Sequence, residues 1–514
     1  MKAVTKKIFA LLLSAIMLMA TGVSAFADTG NSTTANLKID NKSEAIYTAY
    51  KVMSSKVSGT DKDGNPVYTY TVESAFAGFF KDGENGYTLD SDNVIKKDGK
   101  AITSDGTSAN TNQTEAAYLA NALKNYALAN GITGTVIGDS GLDTGIGYYV
   151  IAETATTSNK VVASKPILVD LRNDKEITPK NSTVDLEKKI VEGEKKVDSN
   201  TANIGDTIKY EVTTSIPTYE ANVDASKLSY TLTDTFTNLT YNNGSLVIKA
   251  NGTTLIKDAD YTLTEASGNF KAELTADAII KYQGAELVLT YSAILNEDAV
   301  VDNEVGNPNK IKLEYTNNPD VDNSKGVLED DVKTYTYGFK IHKVDKNDDT
   351  KDMAGAAFEV KDSNENVIGT FEYGKDGEIT NPTGAIITKD GNIATIKGVD
   401  VGNYTITETK APKDYSMLSE PVVIKIKDSG EAAGEELNGI GKLEIVSGQG
   451  TAATSVENNN GVIDLTVKIE NVKGISLPET GGMTALYCMI GGVILIVFGG
   501  LYFGLSRRSG RKEQ

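Results

Sequence analysis

The chain has 514 residues, with 51 lysines and arginines against 70 aspartates and glutamates, and its formal net charge is -19. This length exceeds what one hydrophobic core supports, so we expect about three domains. The acidic balance argues against a nucleic-acid partner, which requires clustered positive charge.

One histidine, His342, and one cysteine, Cys488, are the only residues of their kinds, and tryptophan is absent. Histidine-based catalysis, histidine-ligated metal sites and a framework of disulfides therefore have little basis in this sequence. We expect no metal, no cofactor and no enzymatic activity on a substrate.

The first 27 residues have the pattern of a signal peptide. Three lysines within the first seven residues precede an apolar stretch at 8–20, and small residues flank Phe26. This arrangement is typical of an export signal, and we expect cleavage after Ala27.

The body of the chain alternates short runs rich in valine, isoleucine, threonine and tyrosine with clusters of glycine, asparagine and aspartate. Runs such as "TIKYEVTTSI" and "AELVLTYSAI" predict strands of β-sandwiches. Helical spacing occurs in Thr114 to Gly131 and in Thr275 to Gly284. We expect an all-β protein with minor helices, built as an elongated row of immunoglobulin-like sandwiches.

Turn residues cluster near 173–183 and 317–331, between predicted strands. These clusters divide the body into an N-terminal domain, a middle domain and a third domain, which we expect at 28–182, 183–325 and 326–474.

A glutamate follows a tyrosine by four residues in "YYVIAET" and again in "NYTITETKAP". Because strand side chains alternate with a period of two, Glu153 and Glu408 should face the same side as those tyrosines, towards the core. Glu153 is therefore a candidate acid of the first domain. Its lysine partner stays open among Lys38, Lys42 and Lys51.

In the middle domain, strand alternation places Lys188, Asp234 and Asn317 on inward faces. Lys189 and Asn318 remain alternatives that strand parity alone disfavours. In the third domain, the same alternation directs Lys343 and Asn471 inward, with Glu408 between them in the sequence.

Burial of such a set has a chemical consequence. A dry core lowers the pKa of a lysine and raises that of a carboxylic acid. A neutral lysine amine is a nucleophile, and a protonated acid can polarise an asparagine carboxamide. The expected product is a lysine–asparagine amide, formed once within the chain with loss of ammonia.

The last forty residues, 475–514, combine a pentad, an apolar run and a basic end. The pentad is Leu477-Pro478-Glu479-Thr480-Gly481, the apolar run covers 483–505, and the basic tail covers 506–514. The run is long enough to cross a bilayer, and the tail should stay on the cytoplasmic side.

These features resemble those of sortase-processed surface proteins of Gram-positive bacteria. The C-terminal order is similar to a cell-wall sorting signal, while "GFKIHKVDKND", "MAGAAFEV" and "GNYTITETKAPKDY" resemble a Cna B-type domain. The resemblance implies cleavage between Thr480 and Gly481. It also implies self-generated isopeptide bonds, Lys188–Asn317 with Asp234 as the acid and Lys343–Asn471 with Glu408.

The segment 177–181 resembles the pilin motif, whose core reads Tyr-Pro-Lys-Asn, although Thr178 replaces the tyrosine. This resemblance implies that Lys180 accepts Thr480 of an incoming subunit, with Lys175 as a lesser alternative. The acceptor lysine distinguishes a backbone pilin from a surface protein that is only anchored.

Taken over the whole chain, the resemblance is to major (backbone) pilins. It implies a wall-anchored surface pilus, and as partners a pilus sortase, head-to-tail copies of the same chain, accessory pilins and peptidoglycan. The resemblance also allows a ligand on a host surface as a partner. The alternative is a monomeric wall-anchored adhesin or an accessory pilin at the tip or base.

Overall fold

The computed structural model describes residues 33–474, except 41–44, 82–85, 92, 103–110, 157–158, 180, 221–222, 267, 376, 385–386, 391–392 and 454–464, together with residue 496. The expected signal peptide, Lys42, Lys180 and the pentad lie outside the described residues. The described chain is mostly β-structure with a few helices, which confirms the expected fold class.

The first domain combines two helices with short strands. The helices are α1 (Ala77–Lys81) and α2 (Thr111–Ala129), and a single 3-10 turn covers Ser74–Phe76. The strands are β1 (Thr34–Ile39), β2 (Ala45–Thr60), β3 (Pro66–Val72), β4 (Tyr87–Leu89), β5 (Ile95–Lys97), β6 (Lys100–Ala101), β7 (Thr135–Val136), β8 (Leu142–Gly145), β9 (Gly147–Thr156), β10 (Val161–Val162), β11 (Ile167–Leu171), β12 (Lys175–Ile177) and β13 (Ser182–Thr183).

The main sheet of this domain has the order β11-β9-β2-β3, and a second sheet has the order β12-β1-β8. Helix α2 covers the main sheet because its apolar side, including Leu119 and Leu123, packs into one cluster with Phe79 and Val150. The helix stops before Gly131, whose φ of 62° fits the left-handed conformation common after a helix end.

The middle domain is a sandwich of two sheets. Its helix is α3 (Ala276–Lys281), and a 3-10 turn covers Ala225–Lys227. Its strands are β14 (Leu186–Glu192), β15 (Lys195–Val197), β16 (Ser199–Thr201), β17 (Thr207–Ser215), β18 (Tyr230–Phe236), β19 (Leu239–Tyr241), β20 (Val247–Ala250), β21 (Thr253–Thr254), β22 (Tyr261–Ala266), β23 (Asn269–Leu274), β24 (Glu286–Leu295), β25 (Asn307–Thr316) and β26 (Lys325–Tyr335).

One sheet of the middle domain has the order β15-β14-β17-β24-β20-β21, and the other β16-β26-β25-β18-β23-β22. The inward residues of both sheets form one continuous apolar core. Strand β26 pairs with β25 from Lys325 to Thr334, and Tyr335 pairs with Thr201 of β16. The middle domain therefore extends to Tyr335, past the boundary that we expected at 325, because the turn cluster before β26 is a hairpin and not a linker.

The third domain is a second sandwich, with helix α4 (Ser429–Ala433). Its strands are β27 (Tyr337–Asp345), β28 (Asp348–Asp352), β29 (Ala357–Lys361), β30 (Val367–Tyr373), β31 (Ile379–Thr383), β32 (Ile387–Asp390), β33 (Ile393–Val399), β34 (Gly402–Lys410), β35 (Val422–Asp428), β36 (Gly441–Ser447), β37 (Gly450–Ala453) and β38 (Thr466–Asn471).

The sheets of the third domain have the orders β32-β33-β27-β38-β37 and β31-β30-β29-β34-β35-β36. The first and last strands, β27 and β38, are parallel neighbours. None of the helices in the described part of the chain is long and apolar enough to cross a membrane. The apolar run that we expect to span a bilayer, 483–505, falls outside that part except for residue 496.

A buried ion cluster joins the first domain to the middle domain within one compact unit. Lys124 of α2 is buried, and its Nζ lies 2.6 Å from Glu220 and 2.7 Å from Asp320. Burial raises the pKa of Glu220, an effect that Lys124 opposes. The lysine thus neutralises acids that the domain contact has withdrawn from water.

We expect Lys124→Met to lower the free energy of unfolding of this unit by about 3–5 kcal/mol, because it removes the buried cation that lies between two largely buried carboxylates. Denaturant unfolding measures the change. Lys310→Met is the matched control, since Lys310 pairs with Glu329 at the same 2.6 Å but both side chains are about half exposed, and such pairs contribute about 0–1 kcal/mol. Equal effects of the two substitutions would contradict the expectation.

Candidate crosslinking sites

The middle-domain site lies between the two sheets. Lys188 on β14 and Asp234 on β18 are both fully buried, and Lys188 Nζ lies 2.5 Å from Asp234 Oδ2. Lys189, the neighbour that parity disfavoured, instead pairs with Asp198 in a partly exposed contact at 2.6 Å. The structure thus brings the expected lysine and acid together.

The asparagine at this site is Asn309 and not Asn317. Asn309 Nδ2 donates hydrogen bonds to Asp234 Oδ1 and, at 3.1 Å, to the Thr235 carbonyl. Asn317 lies beyond the end of β25, where its Oδ1 accepts a hydrogen bond of 2.6 Å from Ser324. The expectation for Asn317 therefore does not match the geometry.

Strand register explains the difference. Strands β18 and β25 are antiparallel, with Asp234 opposite Ile311 and Phe236 opposite Asn309. Asn309 is thus a same-face diagonal neighbour of Asp234. Asn317 shares the parity of Asn309, but it follows by roughly 25 Å of extended chain.

Burial sets the charge state of this site. It lowers the pKa of Lys188, against the attraction of Asp234, and it raises the pKa of Asp234, against the effect of Lys188. Both shifts favour a neutral amine beside a protonated acid. The Asp234 carboxyl meets the lysine at one oxygen and the asparagine at the other, so it can carry a proton from amine to carboxamide.

Two tyrosines line the middle-domain site. Lys188 Nζ lies 5.0 Å from the ring centroid of Tyr291 and 5.2 Å from that of Tyr210. The Tyr291 hydroxyl donates to Asp234 Oδ2 at 2.6 Å and also contacts Lys188 Nζ. Strand alternation in the sequence did not predict Tyr291 as part of the site.

The third-domain site lies where β27 and β38 run parallel. Lys343, Glu408 and Asn471 are all buried, and Asn471 Nδ2 donates to Glu408 Oε1 at 2.8 Å. Lys343 is opposite Ile469 in the register, and its Nζ donates to the Ile469 carbonyl at 2.9 Å. The other Glu408 oxygen accepts from the Leu418 amide at 2.8 Å.

Burial lowers the pKa of Lys343 from 10.5 to about 8, although Glu408 partly opposes the shift. A substantial share of the amine is therefore neutral at mildly alkaline pH. The three expected residues of this domain thus share one buried region, with acid and asparagine in direct contact.

The lowered pKa predicts a pH-dependent stability in Asn471→Ala, a variant that cannot form an amide at this position. Between pH 8 and 10.5 the unfolded chain keeps the Lys343 proton that the folded chain has lost. The free energy of unfolding should therefore rise with pH across this interval, by up to about 1.4 kcal/mol per pH unit. Denaturant unfolding at several pH values measures the slope.

The control is Lys343→Met in the same Asn471→Ala background, which removes the titrating amine and leaves the other groups. An identical slope in both variants would assign the pH dependence to a group other than Lys343.

In the first domain Glu153 is buried and has a defined set of contacts. Its Oε2 accepts hydrogen bonds from the Ser164 amide at 2.7 Å, from Asn181 Nδ2 at 3.1 Å and from the Tyr47 hydroxyl at 3.3 Å. The acid therefore meets an asparagine, as Asp234 and Glu408 do. Sequence reasoning missed Asn181 because it stands in the pilin-like segment.

Two of the three candidate lysines of the first domain have other contacts. Lys38 pairs with Glu176 at 2.7 Å in an exposed contact. Lys51 Nζ lies 5.8 Å from the ring centroid of Tyr149. The third candidate, Lys42, falls outside the described residues.

The acceptor segment is described on both sides of Lys180. Lys175 lies in β12, which pairs in parallel with β1. Pro179 is buried, and Asn181 is held by Glu153. The residue positions that flank Lys180 are therefore fixed on the first domain.

No group of three or more histidine, cysteine, aspartate or glutamate side chains is placed to hold a metal ion in the portion of the chain that the structure describes.

Comparisons with known proteins match the two sandwiches. A family model described as Gram-positive pilin backbone subunit 2, Cna-B-like domain, matches residues 204–319. A model of the SpaA prealbumin-like fold domain matches residues 338–440. The fold and these matches support Gram-positive backbone pilins with Cna-B-like domains as the class of protein that this chain resembles.

Individual proteins are also similar to this chain. The chain is 26% identical over 400 residues to the trypsin-resistant surface T6 protein of Streptococcus pyogenes serotype M6, covering 64% of this chain and 70% of the relative. The solved T6 backbone pilin of that serotype, which has a modular three-domain structure, is similar in fold with a TM-score of 0.55 and 20% identity, over 86% of this chain and 99% of that one. The major pilin SpaD from Corynebacterium diphtheriae gives a TM-score of 0.45 at 17% identity, over 86% and 96% of the two chains.

Proposed function

We propose that this protein is the major shaft subunit of a covalent surface pilus, polymerised by a sortase and stiffened by amide bonds inside its domains. The observation that carries the proposal is the repeated buried set of lysine, acid and asparagine in a chain with a pilin-like segment and a sorting signal. One such set occurs in the middle domain and one in the third.

The intersubunit bond joins Thr480 of one subunit to Lys180 of the next. The sortase cleaves after Thr480 and holds it as a thioester, and the Lys180 amine then displaces the sortase cysteine. Pro179 and Asn181 are anchored on either side of this lysine, which supports a defined acceptor position. A head-to-tail bond of this kind does not close, so repeated transfer builds a filament.

The intramolecular bonds are Lys188–Asn309, with Asp234 as the acid, and Lys343–Asn471, with Glu408 as the acid. In each reaction the lysine Nζ forms a bond to the asparagine Cγ, the Cγ–Nδ2 bond breaks, and ammonia leaves. Each bond forms once in each molecule, so the chain is a structural protein that modifies itself and not an enzyme with turnover.

The first domain holds two parts of a third set, Glu153 and Asn181. Because Lys38 and Lys51 have contacts elsewhere, Lys42 is the remaining candidate of the three. An amide bond between Lys42 and Asn181 would connect the start of the first domain to the residue after the acceptor lysine.

The other proposed partners are those that assembly of the pilus requires. A pilus sortase processes 477–481, accessory pilins complete the filament, and the last subunit joins peptidoglycan. The run 483–505 holds the chain in the membrane until transfer. The alternative of a monomeric wall-anchored adhesin or accessory pilin needs the sorting signal and the internal bonds but no acceptor lysine.

The experiment that tests the proposal is extraction of cell walls from a strain that expresses this chain and its sortase, followed by boiling in SDS and electrophoresis. A ladder of resistant multimers is expected, and a strain without the sortase should show none. A single band in the presence of the sortase would overturn the shaft assignment and favour the monomeric adhesin.

A further inference from the structure

The Tyr291 hydroxyl stands at the centre of the middle-domain site. It contacts Lys188 Nζ and lies 2.6 Å from Asp234 Oδ2, in a buried environment. The side chain comes from β24 in the sheet that also holds β14, whereas Asp234 comes from the facing sheet. Tyr291 therefore bridges the lysine and the acid across the core.

The chemistry of a phenol fixes the direction of these hydrogen bonds. A tyrosine hydroxyl has one proton to donate, and its oxygen can accept. Burial and the nearby Asp234 raise the pKa of Tyr291 well above its usual value, so the hydroxyl keeps its proton. It donates to Asp234, and it accepts an N–H of Lys188.

We propose that Tyr291 is a further catalytic residue of Lys188–Asn309 bond formation, relaying a proton from the lysine amine to Asp234. The inference rests on the proposed internal bond of the middle domain and adds a residue to its reaction. Tyr291 touches the reacting Nζ atom directly, which separates it from the apolar side chains that only line the site.

The proton balance of the reaction needs no outside reactant. As Nζ attacks the Asn309 Cγ, one Nζ proton passes to the Tyr291 oxygen while the Tyr291 proton passes to Asp234. Asp234 gives the proton that it already holds to Nδ2, which leaves as ammonia. Asp234 and Tyr291 end protonated, as they began, and the net change is one proton moved from Nζ to Nδ2.

Tyr210 provides an internal comparison. Its ring stacks on that of Tyr291 with centroids 5.4 Å apart, and it lies at almost the same distance from Lys188. Its hydroxyl, however, makes no hydrogen bond to Lys188 or Asp234 within the residues that the structure describes. Tyr291→Phe and Tyr210→Phe each remove one hydroxyl oxygen from the core. Only Tyr291→Phe interrupts the proposed proton relay.

The experiment compares Tyr291→Phe, Tyr210→Phe and the unchanged full chain. Each is synthesised in a cell-free system, and samples are stopped in denaturant at set times and digested. Mass spectrometry quantifies the crosslinked peptide that joins Lys188 to Asn309, which is lighter by one ammonia, about 17 Da. The crosslinked Lys343–Asn471 peptide from the same molecules is the internal reference that corrects for differences in synthesis and sample handling.

We expect Tyr291→Phe to form the middle-domain crosslink at least about tenfold more slowly, since a positioned proton-transfer group contributes about 10²–10⁴-fold and Asp234 still contacts the lysine directly. Tyr210→Phe should match the unchanged chain. To exclude a folding defect, both tyrosine variants are also unfolded in an Asn309→Ala background. Tyr291→Phe is expected to have the lower midpoint, because it loses two buried hydrogen bonds, but both variants should be fully folded under the conditions of synthesis.

Three outcomes would overturn the inference, and they are distinguishable. If Tyr291→Phe and the unchanged chain form the Lys188–Asn309 crosslink at equal rates, Tyr291 is not a relay, although the bond still forms. Equal slowing by both tyrosine substitutions, or incomplete folding of Tyr291→Phe under the conditions of synthesis, assigns the effect to packing or folding. If the unchanged chain yields no crosslinked Lys188–Asn309 peptide, the proposed bond does not form, and the relay is disproved together with it.

Discussion

Replacing Lys180 with alanine is expected to reduce the ladder of SDS-resistant multimers in cell-wall extracts to monomer. The proposed polymer needs an amine to receive Thr480, and the two neighbours of Lys180, Pro179 and Asn181, are anchored on the first domain. Loss of the amine should therefore abolish polymerisation while leaving export and folding unchanged. Electrophoresis after boiling in SDS measures the result.

Two controls separate the nucleophile from its charge and its neighbourhood. Lys180→Arg keeps the positive charge but replaces the amine with a guanidinium that stays protonated, so it should also abolish the ladder. Lys175→Ala removes a lysine from β12 in the same segment and should leave the ladder unchanged. A ladder lost in Lys175→Ala and kept in Lys180→Ala would move the acceptor to Lys175.

The sequence could predict those site residues that depend only on alternation within one strand. It could not predict those that depend on how two strands pair. Strand parity alone selects Lys188 over Lys189, because adjacent residues point to opposite faces, and the structure places Lys188 inside the core and Lys189 on the outside. Glu408 follows from the same rule. These residues are determined by local alternation.

Strand alternation alone could not predict Asn309 as the asparagine of the site. All odd positions from 309 to 317 share one face, so parity could not choose between the two asparagines. The choice is made by the antiparallel register that sets Phe236 opposite Asn309, and a register is a property of two strands together. Tyr291 was missed for a related reason, since only the pairing of β14 with β17 and of β17 with β24 brings it beside Lys188.

The fold was predictable in its class, and less so at the boundaries of its domains. Turn residues near 317–331 indicated a break in the chain, but a hairpin and a linker use the same residues. Only the pairing of β25 with β26 shows that this turn lies inside the middle domain.

The middle-domain assignment predicts a large loss of stability in Asn309→Ala. The proposed bond from Lys188 to Asn309 would close most of the domain into a loop, and closing a loop of roughly 100 residues stabilises a fold by about 4–5 kcal/mol in the chain-entropy model. Without it, we expect a fall of that order in the free energy of unfolding. Denaturant unfolding and the missing Lys188–Asn309 peptide provide the two measurements.

Asn317→Ala is the matched control, because it makes the same substitution at the other asparagine of this segment. It should keep the crosslinked peptide and most of the stability. A crosslink of Lys188 that is lost in Asn317→Ala and kept in Asn309→Ala would restore the Lys188–Asn317 pairing that parity first indicated and contradict the geometry of the site.

A double substitution separates the bond from ordinary packing. Lys188→Met and Asn309→Ala each remove one end of the same bond, so the second substitution should add little to the first, as expected for residues that act as one unit. If instead the two losses add, Lys188 and Asn309 stabilise the domain through independent contacts. The Asp234 site would then be a buried polar cluster that fixes the two sheets without joining them covalently.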